Sequence, residues 1–125
     1  MQSEVKRKSK VVTIVDAATL TVPATGTVTV NSDTFDIAGY ESAIILCTLG
    51  TETATATFDA KLQYADSNGN YYDVASGGLT QMDKAGSQQL TIAKLYGHTA
   101  RVVYVYGDAE GDAFADVTLE IVLKS

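Results

Sequence analysis

The tightest constraint on the fold lies in residues 58–74, where side-chain character alternates with a period of two and the chain then reverses. Phe58, Ala60, Leu62 and Tyr64 occupy alternate positions, with Asp59, Lys61 and Gln63 between them. Successive side chains of an extended chain point to opposite faces, so this pattern gives a strand with one apolar and one polar face. Asp66-Ser67-Asn68-Gly69-Asn70 follows. These residues tolerate positive φ or hydrogen-bond their own backbone, and they predict a reversal. Tyr71, Tyr72 and Val74 carry the return strand. The β-hairpin fixes local structure and says nothing yet about function.

The same alternation recurs along the chain. Residues 11–15 form a first strand candidate, Asp16-Ala17-Ala18 reads as a turn, and Leu20 and Val22 continue in extended form towards Pro23. Residues 27–30 alternate after Gly26, and Phe35 and Ile37 share one face of a short segment. Residues 42–49 are apolar enough to predict a central strand covered on both faces. Residues 50–53 read as a loop, and residues 75–88, rich in Gly, Ser and Gln, as a longer surface loop; residues 89–93 form a short strand. In residues 99–106, Ala100, Val102, Tyr104 and Tyr106 lie on one face; residues 107–112 form an acidic loop; and Val117, Leu119, Ile121 and Leu123 alternate in the last strand.

No segment carries a 3.6-residue apolar stripe, and seven to nine short strands predict an all-β antiparallel β-sandwich. Jelly-roll, Ig-like and closed-barrel arrangements remain alternatives, because strand order is not written in the spacing. The expected core comprises Ile44, Leu46, Phe58, Leu62, Val102, Tyr104, Leu119 and Ile121.

Charge divides the chain in two. Lys6, Arg7, Lys8 and Lys10 are four of its nine basic residues, and beyond Lys10 stand five basic and fourteen acidic side chains, a net charge of −9. We therefore read residues 1–10 as an extended basic N-terminal arm and residues 11–125 as one β-sandwich domain. An acidic body argues against nucleic acid as a partner. The longest purely apolar run, residues 43–47, is too short to span a bilayer, and no apolar h-region follows the basic residues, so neither a membrane span nor a secretory signal is expected. Cys47 is the only cysteine, which excludes an intrachain disulfide and fits folding in a reducing cytoplasm. Within Ile44-Ile45-Leu46-Cys47 it reads as a buried small hydrophobe.

Candidate sites are few. The 66–70 segment places oxygens at alternate positions as a calcium loop does, but its Gly is fourth rather than sixth and Gly77 stands where a bidentate Glu would close the site. A hairpin turn explains it better. Asp108, Glu110 and Asp112 read as a solvated acidic loop. His98 is the only histidine, which excludes sites needing two imidazoles, and no Gly-x-Ser-x-Gly, GxGxxG or P-loop motif is present. We expect no catalytic residue, no cofactor and no metal ligand, and hence no enzyme. Tyr64, Tyr71 and Tyr72 gather on one hairpin, either as cross-strand pairs or as a carbohydrate-stacking platform.

Residues 38–43 (Ala-Gly-Tyr-Glu-Ser-Ala), the apolar strand after them and the segment Leu62-Gln63-Tyr64-Ala65-Asp66-Ser67-Asn68-Gly69-Asn70-Tyr71-Tyr72-Asp73-Val74 together resemble small β-sandwich head decoration (capsid cement) proteins of tailed bacteriophages. In that family a "YES" segment leads a buried strand and a "LQ-S-DG-Y-V" hairpin follows. The resemblance covers roughly residues 36–76, and the turn departs from the family's usual Asp-Asp-Gly. It implies a structural role on the outside of a phage head, bridging neighbouring subunits of the major capsid protein. It also implies association of copies as trimers, manufacture in the host cytoplasm and residence on the virion surface. The partner-binding residues expected on this reading are Lys6, Arg7, Lys8 and Lys10, facing either the capsid or a neighbouring copy's acidic body, with a solvated tail that serves solubility as the alternative. A carbohydrate- or receptor-binding module of a head or tail fibre, or a minor head–tail connector or tail component, is the alternative.

Overall fold

The 58–74 hairpin is the innermost of four nested antiparallel pairings. The computed structural model describes residues 8–23, 26–52, 56–108 and 111–125. Its strands are β1 (Ser9–Val22), β2 (Gly26–Asn31), β3 (Phe35–Asp36), β4 (Ser42–Leu49), β5 (Thr51–Glu52), β6 (Thr57–Ala65), β7 (Tyr71–Gly78), β8 (Gly86–Ile92), β9 (Thr99–Asp108) and β10 (Gly111–Lys124), with no helix among the described residues. β6 pairs with β7, β4 with β8, β2 with β9 and β1 with β10, all antiparallel. This ribbon is wrapped into two sheets, β1-β10-β4-β8 and β2-β9-β6-β7, with the short β5 added on β10 and the short β3 on β9. Eight long strands in this order make a jelly roll, which decides among the sandwich topologies left open by spacing alone.

The inner faces are those the alternation marks. Phe58, Leu62, Val102, Leu119 and Ile121 are fully buried, as are Ile45, Ile37, Val117 and Leu123, and Tyr104 is buried with its ring against Phe58. No buried side chain is polar or charged among the described residues, so the sandwich interior is apolar throughout. Cys47 is 2% exposed on the inner face of β4, and burial pushes its thiol up to about 11, which leaves it a packing group rather than a nucleophile.

Five expectations are corrected, the first being the loop 50–53, where Thr51 and Glu52 form β5 against β10. The strand 42–49 has the bounds expected, but only Ala43, Ile45, Cys47 and Leu49 are buried; Ile44 and Leu46 lie on the outer face, half-buried, and are not core. A continuous apolar run marks two-face burial in parallel sheets, whereas here one side of an antiparallel sheet stays open. Asp16-Ala17-Ala18 is not a turn: β1 continues through it as a bulge, with register shifts against β10 and Ala17 at φ 46°. The extra residues bend a 14-residue edge strand, which blunts its tendency to pair with another chain. The expected loop 75–88 is shorter, because β7 extends to Gly78 through a bulge at Ser76 (φ 55°) and β8 begins at Gly86. What lies between is tied down by Leu79 N–H to Ala60 O and by reciprocal bonds between Phe58 and Met82. The acidic loop contracts as well, since β9 runs to Asp108 and β10 starts at Gly111.

Candidate interaction surfaces

Of the four arm cations, Lys6 and Arg7 lie outside the described residues, and the other two sit on the folded body. Ser9 and Lys10 pair with Lys124 and Leu123, so the first strand starts two residues before the arm boundary read from the sequence. Lys8 N–H donates to Ser125 Oγ at 2.6 Å and Ser125 N–H donates to Lys8 O at 3.0 Å, closing the sheet edge. Lys8 and Lys10 are exposed, at the same end of the sandwich as Lys94 and Lys124. The only ion pair among the described residues is Lys61–Asp73, so none of these four ammonium groups has a carboxylate partner there.

The hairpin tyrosines part company. Tyr64 and Tyr72 oppose each other on the inward side of β6 and β7. The Tyr64 hydroxyl accepts from Tyr96 N–H at 3.0 Å, while the Tyr72 hydroxyl donates to Asp66 Oδ2 at 3.2 Å. Tyr71 stands on the outer face with the Arg101 guanidinium 3.3 Å from its ring centroid. The three rings thus form a cross-strand pair and a cation–π stack, not one sugar-stacking platform.

The Tyr71 stack belongs to a row that crosses three strands of the outer face. Arg101 Nε donates to Gln63 Oε1 at 2.9 Å, Gln63 Nε2 donates to Asp73 Oδ1 at 2.8 Å, and Lys61 Nζ lies 3.1 Å from Asp73 Oδ1. Gln63 therefore has both ends of its amide fixed, one by a cation and one by an anion. Its hydrogen bond, and then Lys61, hold the Asp73 carboxyl below the usual carboxylate range. Arg101 is held from two sides, by its stack on the Tyr71 ring and by its Nε hydrogen bond to Gln63. Gln63 and Arg101 are 38 residues apart, so this array is invisible until the β6–β9 register is known. A lone arginine amid the valines of residues 99–106 was its one sequence signal.

The turn that closes the hairpin consumes its own carboxylate. Asp66 Oδ1 accepts from the N–H groups of Asn68 and Asn70, both at 2.8 Å, and Oδ2 accepts from Asn70 Nδ2 at 2.9 Å and from the Tyr72 hydroxyl. These bonds, those to Asn70 foremost, lower the Asp66 pKa to about 2. A folded value below the unfolded value of about 3.9 means that the turn is stabilised above that pH and loosens as pH falls towards 2. Titration of the Asp66 carboxyl by NMR is expected to show a midpoint near 2, with the Asn68 and Asn70 amides losing exchange protection over the same range. A midpoint near 4 would contradict this arrangement.

Among the described residues no group of three His, Cys, Asp or Glu is placed to hold a metal, and His98 is an exposed loop residue whose carbonyl accepts from Ile37 N–H at 2.9 Å. The side chains of Asp108, Glu110 and Asp112 lie outside the described residues.

The chain is thus a jelly-roll β-sandwich with a linked polar array on the outer face of the β2-β9-β6-β7 sheet. No family model matches its sequence, and no curated protein does. Its backbone is similar to that of the SPBc2 prophage-derived protein YomS, with a TM-score of 0.54 and 15% identity over 100% of both chains. It is also similar to the PBSX exported protein XepA, with a TM-score of 0.63 and 10% identity, covering 91% of this chain and 36% of that one. The VP2 subviral particle of infectious bursal disease virus gives a TM-score of 0.61 at 14% identity, covering 99% of this chain and 34% of the VP2 chain. The chain spans about a third of the length of the last two proteins. At these identities the likeness is one of fold.

Proposed function

We propose that this chain is a structural protein of a bacteriophage virion, a decoration protein that attaches to the outside of the head and stabilises contacts between subunits of the major capsid protein. The observation that carries this reading is the rigid outer array of Tyr71, Arg101, Gln63, Asp73 and Lys61. Arginine and tyrosine dominate binding energy at protein interfaces, most of all where neighbours hold them in place before contact. Two supports come from similar folds, one in a prophage-derived protein matched over its whole length and one in a viral particle protein. The basic end of the sandwich, with Lys8, Lys10 and the preceding Lys6 and Arg7, supplies an attachment point for an acidic patch. Three copies around a local threefold axis complete the reading, since linked weak contacts gain avidity.

Co-sedimentation with phage heads lacking the protein tests the proposal. The intact chain is expected to bind, and Arg101→Ala or removal of residues 1–7 to weaken attachment while leaving the circular dichroism of the body unchanged. Added salt is expected to weaken the intact chain in the same direction, because exposed charges interact over only about 8–10 Å at physiological ionic strength. Full binding by both variants at low salt would contradict these roles.

A further inference from the structure

We infer that the outer face of the β1-β10-β4-β8 sheet is a contact surface for a second copy of this chain, which packs on it through the same face across a two-fold axis. The pairing register places Val11, Val122 and Ile44 side by side in one row, continued by Thr91 on β8. Val11 is 56% exposed, and Val122, Ile44 and the neighbouring Leu46 are only half-buried. The rows above and below are polar: Ser9, Lys124 and Ser42 on one side, and Thr13, Glu120 and Gln89 around Leu46 on the other. An apolar strip with a polar rim has the anatomy of an interface.

Charge decides what covers it. On β10 the outward residues read Glu120, Val122, Lys124, an acid and a base placed symmetrically about the apolar row. A two-fold axis lying along that row lays Val11, Val122 and Ile44 on their own counterparts and brings Glu120 of each copy opposite Lys124 of the other. The face is therefore complementary to itself, as a closed two-fold contact requires. Packed sheets cross at up to about 30°, which at two residues (about 7 Å) from the crossing shifts these groups sideways by only about 3–4 Å, within reach of a lysine. Both charges are available: among the described residues Lys124 has no carboxylate partner, and Glu120 accepts one hydrogen bond, from Thr13 Oγ1 at 3.2 Å. This contact uses the sheet opposite the Arg101 array and does not depend on the proposed function. It also coexists with threefold association through another surface, so the quantity to read is a doubling of mass.

Sedimentation equilibrium of the full chain at low salt tests it. The intact protein is expected to show a concentration-dependent doubling of mass. Glu120→Lys or Lys124→Glu turns both attractive pairs into like-charge pairs and is expected to raise the dissociation constant of that step tenfold or more. The double exchange Glu120→Lys with Lys124→Glu rebuilds both pairs in reverse and is expected to restore most of the lost affinity. Absence of a doubling step in the intact chain, a mass indifferent to the single reversals, or a double variant no better than the singles would each overturn the inference.

Discussion

Phe58→Ala is expected to cost about 3–5 kcal/mol in urea unfolding, the range for removing a fully buried phenylalanine from a core. Phe58 is 0% exposed, its ring packs 6.0 Å from Tyr104 and edge-on at 6.2 Å to Phe114, and its backbone is bonded to Met82 on one side while pairing with Tyr106 on the other. The two rings come from different sheets, so the cavity would open where the sheets meet. Leu46→Ala provides the contrast. Its side chain lies outward and half-buried, and its loss is expected to stay near or below about 1 kcal/mol, since little apolar area leaves the interior. Equal losses at the two sites would mean that β4 is covered on both faces after all.

Gly107→Ala is expected to destabilise by about 3 kcal/mol or more, from two sources that act together. Gly107 has φ 152°, which side-chain-bearing residues rarely adopt, and a Cβ there would run into the Gly26 carbonyl oxygen and lie 2.8 Å from Thr27 Cα. Strained backbone costs about 1–3 kcal/mol, and overpacking a further 1–3. Neither neighbour can retreat, because Gly107 pairs with Thr27 on one side and Thr57 on the other. Gly69→Ala isolates the conformational part: φ is 81° but nothing lies within 4 Å of its would-be Cβ, so about 1–2 kcal/mol is expected. Thermal or urea midpoints distinguish the two, and equal shifts would show that close approach at Gly107 is not what limits it.

The hairpin and the faces of β6, β9 and β10 are legible in the sequence because one-face burial writes a period of two into Phe58–Leu62, Ala100–Tyr106 and Val117–Leu123. Where that link between burial and pattern fails, so does the reading. Ile44 and Leu46 are apolar residues on an open face, and composition cannot distinguish a covered face from one awaiting a partner. The bulge at Ala17 resembles a turn because both use a residue at positive φ. Edge strands β7 and β8 are bordered by Gly and Ser and need no strong alternation, so their ends look like loop in the sequence. The outer array was out of reach for a different reason. Tyr71, Gln63 and Arg101 meet only through pairings between β6, β7 and β9; a one-residue slip of β7 on β6 would put Tyr71 on the other face, and one of β9 on β6 would do the same to Arg101. The jelly-roll order likewise follows from the nesting of four pairings, of which the sequence reveals only the innermost.

The proposed attachment to a phage head by many copies is tested most directly by the copy number of this chain in purified particles of a phage carrying its gene, measured by quantitative mass spectrometry against the major capsid protein. A decoration protein is expected in numbers comparable with the capsid subunit and is expected to be lost when purified heads are washed at high salt. A handful of copies per particle, the number of a connector or fibre component, or absence from the particle would contradict it.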